Sequence, residues 1–201
     1  MDLRKAVPLL LAWLGTTSGA LLLSLSDALP FRLGFVRPDN LFTVFVEVEV
    51  LFVVLLWPLC LPALRPRESL PRLAALLALG FPPLLVAANL SDAGPGTVLR
   101  AQLLVAALAA FAAGLFGLLG ERAGPAYYLV AFLLSAAAPF VAFLSREFGG
   151  PDLSGLAVLS PFWGAARPTF ASALLFGVAA LALLAGGRFL RREVDAPPAA
   201  Q

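Results

Sequence analysis

Few side chains in this 201-residue chain can do chemistry, and those that can are mostly carboxylates and arginines. Two glutamates, Glu47 and Glu49, stand inside an otherwise apolar run, Leu41–Leu64. A carboxylate in such a run is costly unless it faces protein or water. Two residues apart is about 200° around a helix, so the two glutamates cannot share a face. They read as the lining of a polar path or as an ion or proton site, with one of them directed toward Arg100. A structural pair with an arginine, or a helix that starts later and leaves both near its end, are the alternatives. A second group, Arg65, Arg67, Glu68 and Arg72, is suited to docking a cytoplasmic partner by charge complementarity or to anchoring beside anionic lipid.

What is missing narrows the chemistry further. There is no histidine, which removes His-ligated haem or zinc and Ser-His-Asp catalysis within this chain. Cys60 is the single cysteine and cannot form an internal disulfide or a CxxC site. Lys5 is the only lysine and has no Gly-rich loop before it, so a P-loop is absent. No catalytic residue, metal ligand or cofactor site is expected, the chain is not expected to be an enzyme, and nucleic acid is not an expected partner. Any nucleotide-driven work would draw on a partner's energy.

The elements that carry these residues are apolar and long. Hydrophobic residues make up 61% of the chain and charged ones 13%, with a mean hydropathy of +0.94. Soluble domains carry roughly 25% charged residues, so a soluble enzyme, a disordered chain and a secreted disulfide scaffold are excluded. Ala6–Ser26, Leu73–Ser91, Ala101–Gly120, Ala123–Ser145 and Pro168–Gly187 lack Asp, Glu, Lys and Arg over about the 20 residues that a spanning helix needs. Leu41–Leu64 is a sixth run if both glutamates are included. None alternates as a spanning strand would, and backbone in lipid must bond internally. The expectation is an all-α integral membrane protein of six transmembrane helices. It comprises a single domain over residues 1–190 and a disordered cytoplasmic tail over 191–201.

Basic residues set the direction. With the N-terminus inside, Arg4, Lys5, Arg65, Arg67, Arg72, Arg122, Arg188, Arg191 and Arg192 are internal, against Arg32, Arg37, Arg100, Arg146 and Arg167 outside. That excess places both termini in the cytoplasm. The apolar stretch of the first run is too long for a cleaved signal peptide. Tyr127 and Tyr128 fall at the inner end of helix 5, where an aromatic belt is expected. Helix 4 steps small residues by four, at Ala106, Ala110 and Gly114 and at Ala109, Ala113 and Gly117, which lets another helix approach closely. Pro58, Pro62, Pro82, Pro83 and Pro139 fall within helices 2, 3 and 5, and each removes a backbone bond.

The segment Arg146–Arg167 stands apart. Gly149-Gly150-Pro151 breaks the chain after helix 5, and Leu153–Ala166 then runs without charge. As helix it would cover about 21 Å, short of the ~30 Å hydrocarbon core. This predicts a re-entrant or interfacial hairpin between helices 5 and 6, with Phe162 and Trp163 at headgroup level. An outer loop packed on its own helices is the other reading.

Six helices with both ends inside, and a broken apolar hairpin ending in Leu159-Ser160-Pro161-Phe162-Trp163, resemble the type-2 permeases of ATP-binding-cassette exporters. The small-residue helix Ala101–Gly120, its short following loop and Ala126–Ser145 are similar too. The likeness runs from about Phe42 to Gly187 and lies in topology and texture. In place of the family's longer charged segment after helix 2 stands only Arg65–Arg72. The resemblance implies a bacterial inner-membrane permease subunit that moves cargo by alternating access. It would pair as a homo- or heterodimer with another permease chain and be driven by cytoplasmic ATP-binding-cassette subunits. The competing readings are a non-transporting structural or assembly subunit of a larger membrane complex, and a substrate-binding membrane subunit of an energy-coupling-factor importer. For the last, Glu47, Arg100 and Trp163 are the candidate lining.

Overall fold

The computed structural model describes residues 11–19, 40–56, 66–119 and 124–194. These are helical almost throughout, and no strand occurs among them. In chain order they form α1 (residues 11–19), α2 (Leu41–Leu51), α3 (Pro66–Leu90), α4 (Pro95–Leu119), α5 (Gly124–Phe132), α6 (Ala138–Glu147), α7 (Pro161–Ala166) and α8 (Phe170–Val194). A π-helical turn, Phe52–Leu56, follows α2, and another, Leu133–Ala137, joins α5 to α6. A 3₁₀ helix, Ser154–Leu159, precedes α7. Pro95–Leu119 and the continuous run Gly124–Glu147 are long and apolar enough to cross a membrane. At 1.5 Å per residue the second is about 36 Å long.

Hydrogen bonds and close approaches give the helices their directions. The turn between α3 and α4 is tight: Ala93 N donates to Ala88 O (2.9 Å), with Asp92 in the left-handed region at φ 51°. This is the 6→1 bond that closes a helix C-terminus. At this first end of the bundle, the N–H of Phe42 donates to Ser91 Oγ (3.0 Å). At the other end, the Tyr127 hydroxyl donates to Val54 O (2.7 Å) and that of Tyr128 to Leu55 O (3.3 Å). Thus α2 runs beside α4 in the same direction. A Cβ on Gly114 of α4 would lie 3.2 Å from Leu183 Cβ and 3.6 Å from Ala180 O, and Phe111 meets Phe176 edge to face at 5.7 Å. With Arg100 over the Phe170 ring, these contacts show that α8 is also parallel to α4. Two parallel neighbours joined through α5–α6 require that span to run back the other way.

The core is the seam of α4 with α2 and α8. Leu104, Val105, Leu108, Ala109, Ala112 and Ala113 of α4 are buried with Phe45, Val46 and Val50 of α2. The small residues predicted for close approach therefore pack inside the chain at Ala109, Ala113 and Gly114, whereas Ala106 is exposed. The outer faces are apolar as well. Leu129, Phe132, Phe140 and Phe143 on α5–α6 are each more than half exposed.

Two sequence expectations about element limits change, and one about an aromatic belt. Helix α3 begins at Pro66 rather than Leu73, so Arg67, Glu68 and Arg72 stand on helix and Pro71 lies within it. Helix α8 continues to Val194, so residues 191–194 are helical instead of opening a disordered tail. Tyr127 is 2% exposed: it faces the bundle rather than a belt, because its hydroxyl has an internal acceptor.

The second π turn has a cause in the sequence, and the first stands in the same sequence register. Proline has no N–H, and its ring collides with the carbonyl four residues earlier. Position 58, outside the described residues, is proline and stands four after Val54, the middle of the first π turn. Pro139 stands four after Ser135, the middle of the second. Widening relieves the clash at Pro139, and in both turns a hydroxyl from another element donates to the middle carbonyl. Tyr127 does so for Val54, and Ser160 Oγ donates to Ser135 O (3.2 Å).

Candidate functional site

The candidate site forms where α1, α2, α3 and α4 meet. Glu49 is wholly buried. Its Oε2 accepts from Gln102 Nε2 on α4 (3.1 Å), and its Oε1 has no partner among the described residues. Gly80 of α3 faces that oxygen. A Cβ there would fall 2.9 Å from Glu49 Oε1 and 2.6 Å from Trp13 Cζ2, both too close. Glycine at this position is therefore what lets α3 close on the pair. Trp13, 1% exposed, is held in turn edge to face against Phe52 (4.7 Å between centroids). Four helices thus meet around one carboxyl group whose single partner among the described residues is an amide.

The predicted polar residues separate in three dimensions. Glu47 is half-buried on another face of α2, as the 200° spacing requires, and makes no ion pair among the described residues. Arg100 pairs with neither glutamate. It donates from Nη2 to Thr97 Oγ1 (3.2 Å) and lies over the Phe170 ring (5.9 Å to its centroid), while its Nε is buried without a partner among the described residues. Gln102 stands two residues further along α4, on the opposite face from Arg100. Arg65 lies outside the described residues, and Arg67, Glu68 and Arg72 are placed only as positions on the first turns of α3.

The element before the last helix is broken as expected. The chain leaves α6 through Gly149 at φ 67°, where Gly150 N donates to Ser145 O (2.7 Å). Ser154–Leu159 and Pro161–Ala166 are each six residues long, far short of a crossing. Ser160 is the hinge. It caps α7 by accepting from Trp163 N (3.4 Å), and its hydroxyl reaches the Ser135 carbonyl. Pro161 takes the first helical position, which needs no N–H. Ser160 and Pro161 are buried, Phe162 is half-buried, and Trp163 is 44% exposed beside Arg167 at 5.7 Å. Ser160→Ala removes both bonds and should cost about 1–2 kcal/mol, read as a lower thermal midpoint and faster thiol labelling of a cysteine introduced at Trp163.

No family model, curated protein or solved structure matches the chain. What the residues can do therefore rests on the geometry. No cluster of three or more His, Cys, Asp or Glu that could hold a metal occurs among the described residues. A cavity of about 10 Å³ between Val54, Leu108, Phe111, Tyr127, Leu134 and Pro161 has room for a water at most. Sequence reasoning missed Gln102, Gly80 and Trp13. Gln102 is nonetheless the sole polar side chain in Ala101–Gly120, and a lone amide in an apolar helix is a signal of a buried partner.

Proposed function

We propose that the chain is a multi-pass subunit of a bacterial inner membrane, crossing six times with both ends in the cytoplasm, and that it serves as the permease of an ATP-driven exporter. The observation that carries this reading is the broken element Ser154–Ala166, clasped by Ser160 to the π turn at Ser135 before the final helix. A short apolar hairpin with both ends on one side suits a re-entrant element. The alternating helix directions support it: α2, α4 and α8 run one way, and α5–α6 returns. The excess of arginine at the opposite end supports the orientation.

In this reading two such chains frame a path, and cytoplasmic ATP-binding-cassette subunits bind near the start of α3. Arg65, Arg67, Glu68 and Arg72 are the residues proposed to meet them. Charge pairs of this kind set partner choice and encounter. The test is co-purification from native membranes. Reversing Arg65 and Arg67 to Glu should remove a nucleotide-binding subunit from the purified complex while leaving insertion intact. Unchanged association overturns that docking site. A stable complex of redox or secretory subunits without an ATPase establishes an assembly role instead. Labelling of single cysteines along Leu153–Ala166 from the periplasmic side only is expected, and labelling that continues through to the cytoplasmic side overturns the hairpin.

A further inference from the structure

The Glu49 carboxyl is built into the bundle in a way that neither packing nor a docking role accounts for. One oxygen has an amide donor and the other has none among the described residues, although the group has no contact with solvent. Among the described residues, every element around it presents a neutral group. Residues 11–19 contribute the Trp13 ring, α3 the Gly80 backbone, and α4 the Gln102 amide. The α7 segment PFWGAA, packed on α2, has no titratable side chain. Arg100 lies on the far side of α4 and is engaged by Thr97 and Phe170, and Glu47 points elsewhere on α2. An ionised carboxylate here would give up its hydration for one hydrogen bond and meet no countercharge among the described residues, whereas a neutral acid loses far less.

We propose that Glu49 is an intramembrane proton-binding site. In the packing observed, Oε1 carries the proton, and the ligand of the site is a proton rather than a metal cation. The reaction is a simple dissociation, in which the acid O–H bond breaks heterolytically, the electron pair stays on the carboxylate, and water accepts the proton. Gly80 and the Trp13 edge seal Oε1, so exchange requires α3 or α1 to move aside and readmit water. Proton binding is thereby tied to the contact of α3 with α2. This inference does not depend on what the chain transports or on which partner drives it.

The experiment uses the full-length protein in detergent and a hydrophobic carbodiimide, dicyclohexylcarbodiimide, which adds to a protonated carboxyl and leaves a stable acylurea. One adduct on Glu49 is expected by peptide mass mapping, lost in Glu49→Gln and kept in Glu47→Gln, with a rate that falls as pH rises and is indifferent to sodium. Infrared spectra of the same protein should contain a neutral carboxylic acid carbonyl band that Glu49→Gln removes, whether or not the reagent reaches the site. Glu49→Gln should shift the thermal midpoint by no more than about 2–4 °C, since a neutral amide replaces a neutral acid. Absence of that band, protection of Glu49 by sodium at constant pH, or collapse of the Glu49→Gln protein overturns the proposal.

Discussion

Gly80→Val should be among the most damaging single substitutions in this chain, and Gly80→Ala should already destabilise it. Helix propensity alone favours alanine over glycine by about 1 kcal/mol. The packing reverses that sign. The first carbon added would lie 2.6 Å from Trp13 Cζ2 and 2.9 Å from Glu49 Oε1. Neither neighbour can retreat, because both are buried and Trp13 is pressed against Phe52. Overpacking of this kind costs about 1–3 kcal/mol for a small insertion, and the branched valine should sit at or above the top of that range. Gly177→Ala in α8 is the control. Nothing lies within 4 Å of a Cβ there, so it should be neutral or stabilising by up to about 1 kcal/mol. Thermal unfolding in detergent measures both. Trp13→Leu should recover part of the Gly80→Ala loss, since the two residues share one contact. Equal midpoints for Gly80→Ala and Gly177→Ala would show that α3 does not close on Trp13.

The long elements could be read before the structure because apolar runs, glycines and prolines act locally. Gly149-Gly150-Pro151 ends α6 as its types require. The runs behind α4, α5–α6 and α8 are recovered to within a few residues at most of their ends. The start of α3 was hidden because Arg65–Arg72 carries prolines and charges that resemble a loop, yet Pro66 opens the helix and Pro71 is accommodated within it. The site was only half legible. Glu49 stands out as a carboxylate in an apolar run, but sequence pattern points to a charged partner for it. The partner is an amide, and the choice between Arg100 and Gln102 depends on which face of α4 turns toward α2. That is settled by packing over distances no local pattern encodes. Gly80 presents the same difficulty, since a glycine in a helix signals close approach without saying to what.

The Tyr127 hydroxyl offers the sharpest test of how the bundle tolerates its prolines. Tyr127→Phe keeps the ring, its burial and its edge contact with Phe116 at 5.8 Å, and removes one oxygen. Val54 O then loses the donor that it has at 2.7 Å, and the chain cannot supply another from four residues on, because position 58 is proline. A buried acceptor left without a partner costs about 1–3 kcal/mol. The loss should be larger than that for Tyr128→Phe, whose hydroxyl makes a longer bond of 3.3 Å to Leu55 O. Pro58→Ala provides the decisive comparison. It restores a backbone N–H at position 58, so Tyr127→Phe should cost less in that background than in the natural one. The difference, read as a coupling energy from the four thermal midpoints, measures how far the tyrosine substitutes for the missing amide. Additive effects would mean that the two positions do not share Val54 O, and the π turn at Phe52–Leu56 would then need a cause other than proline.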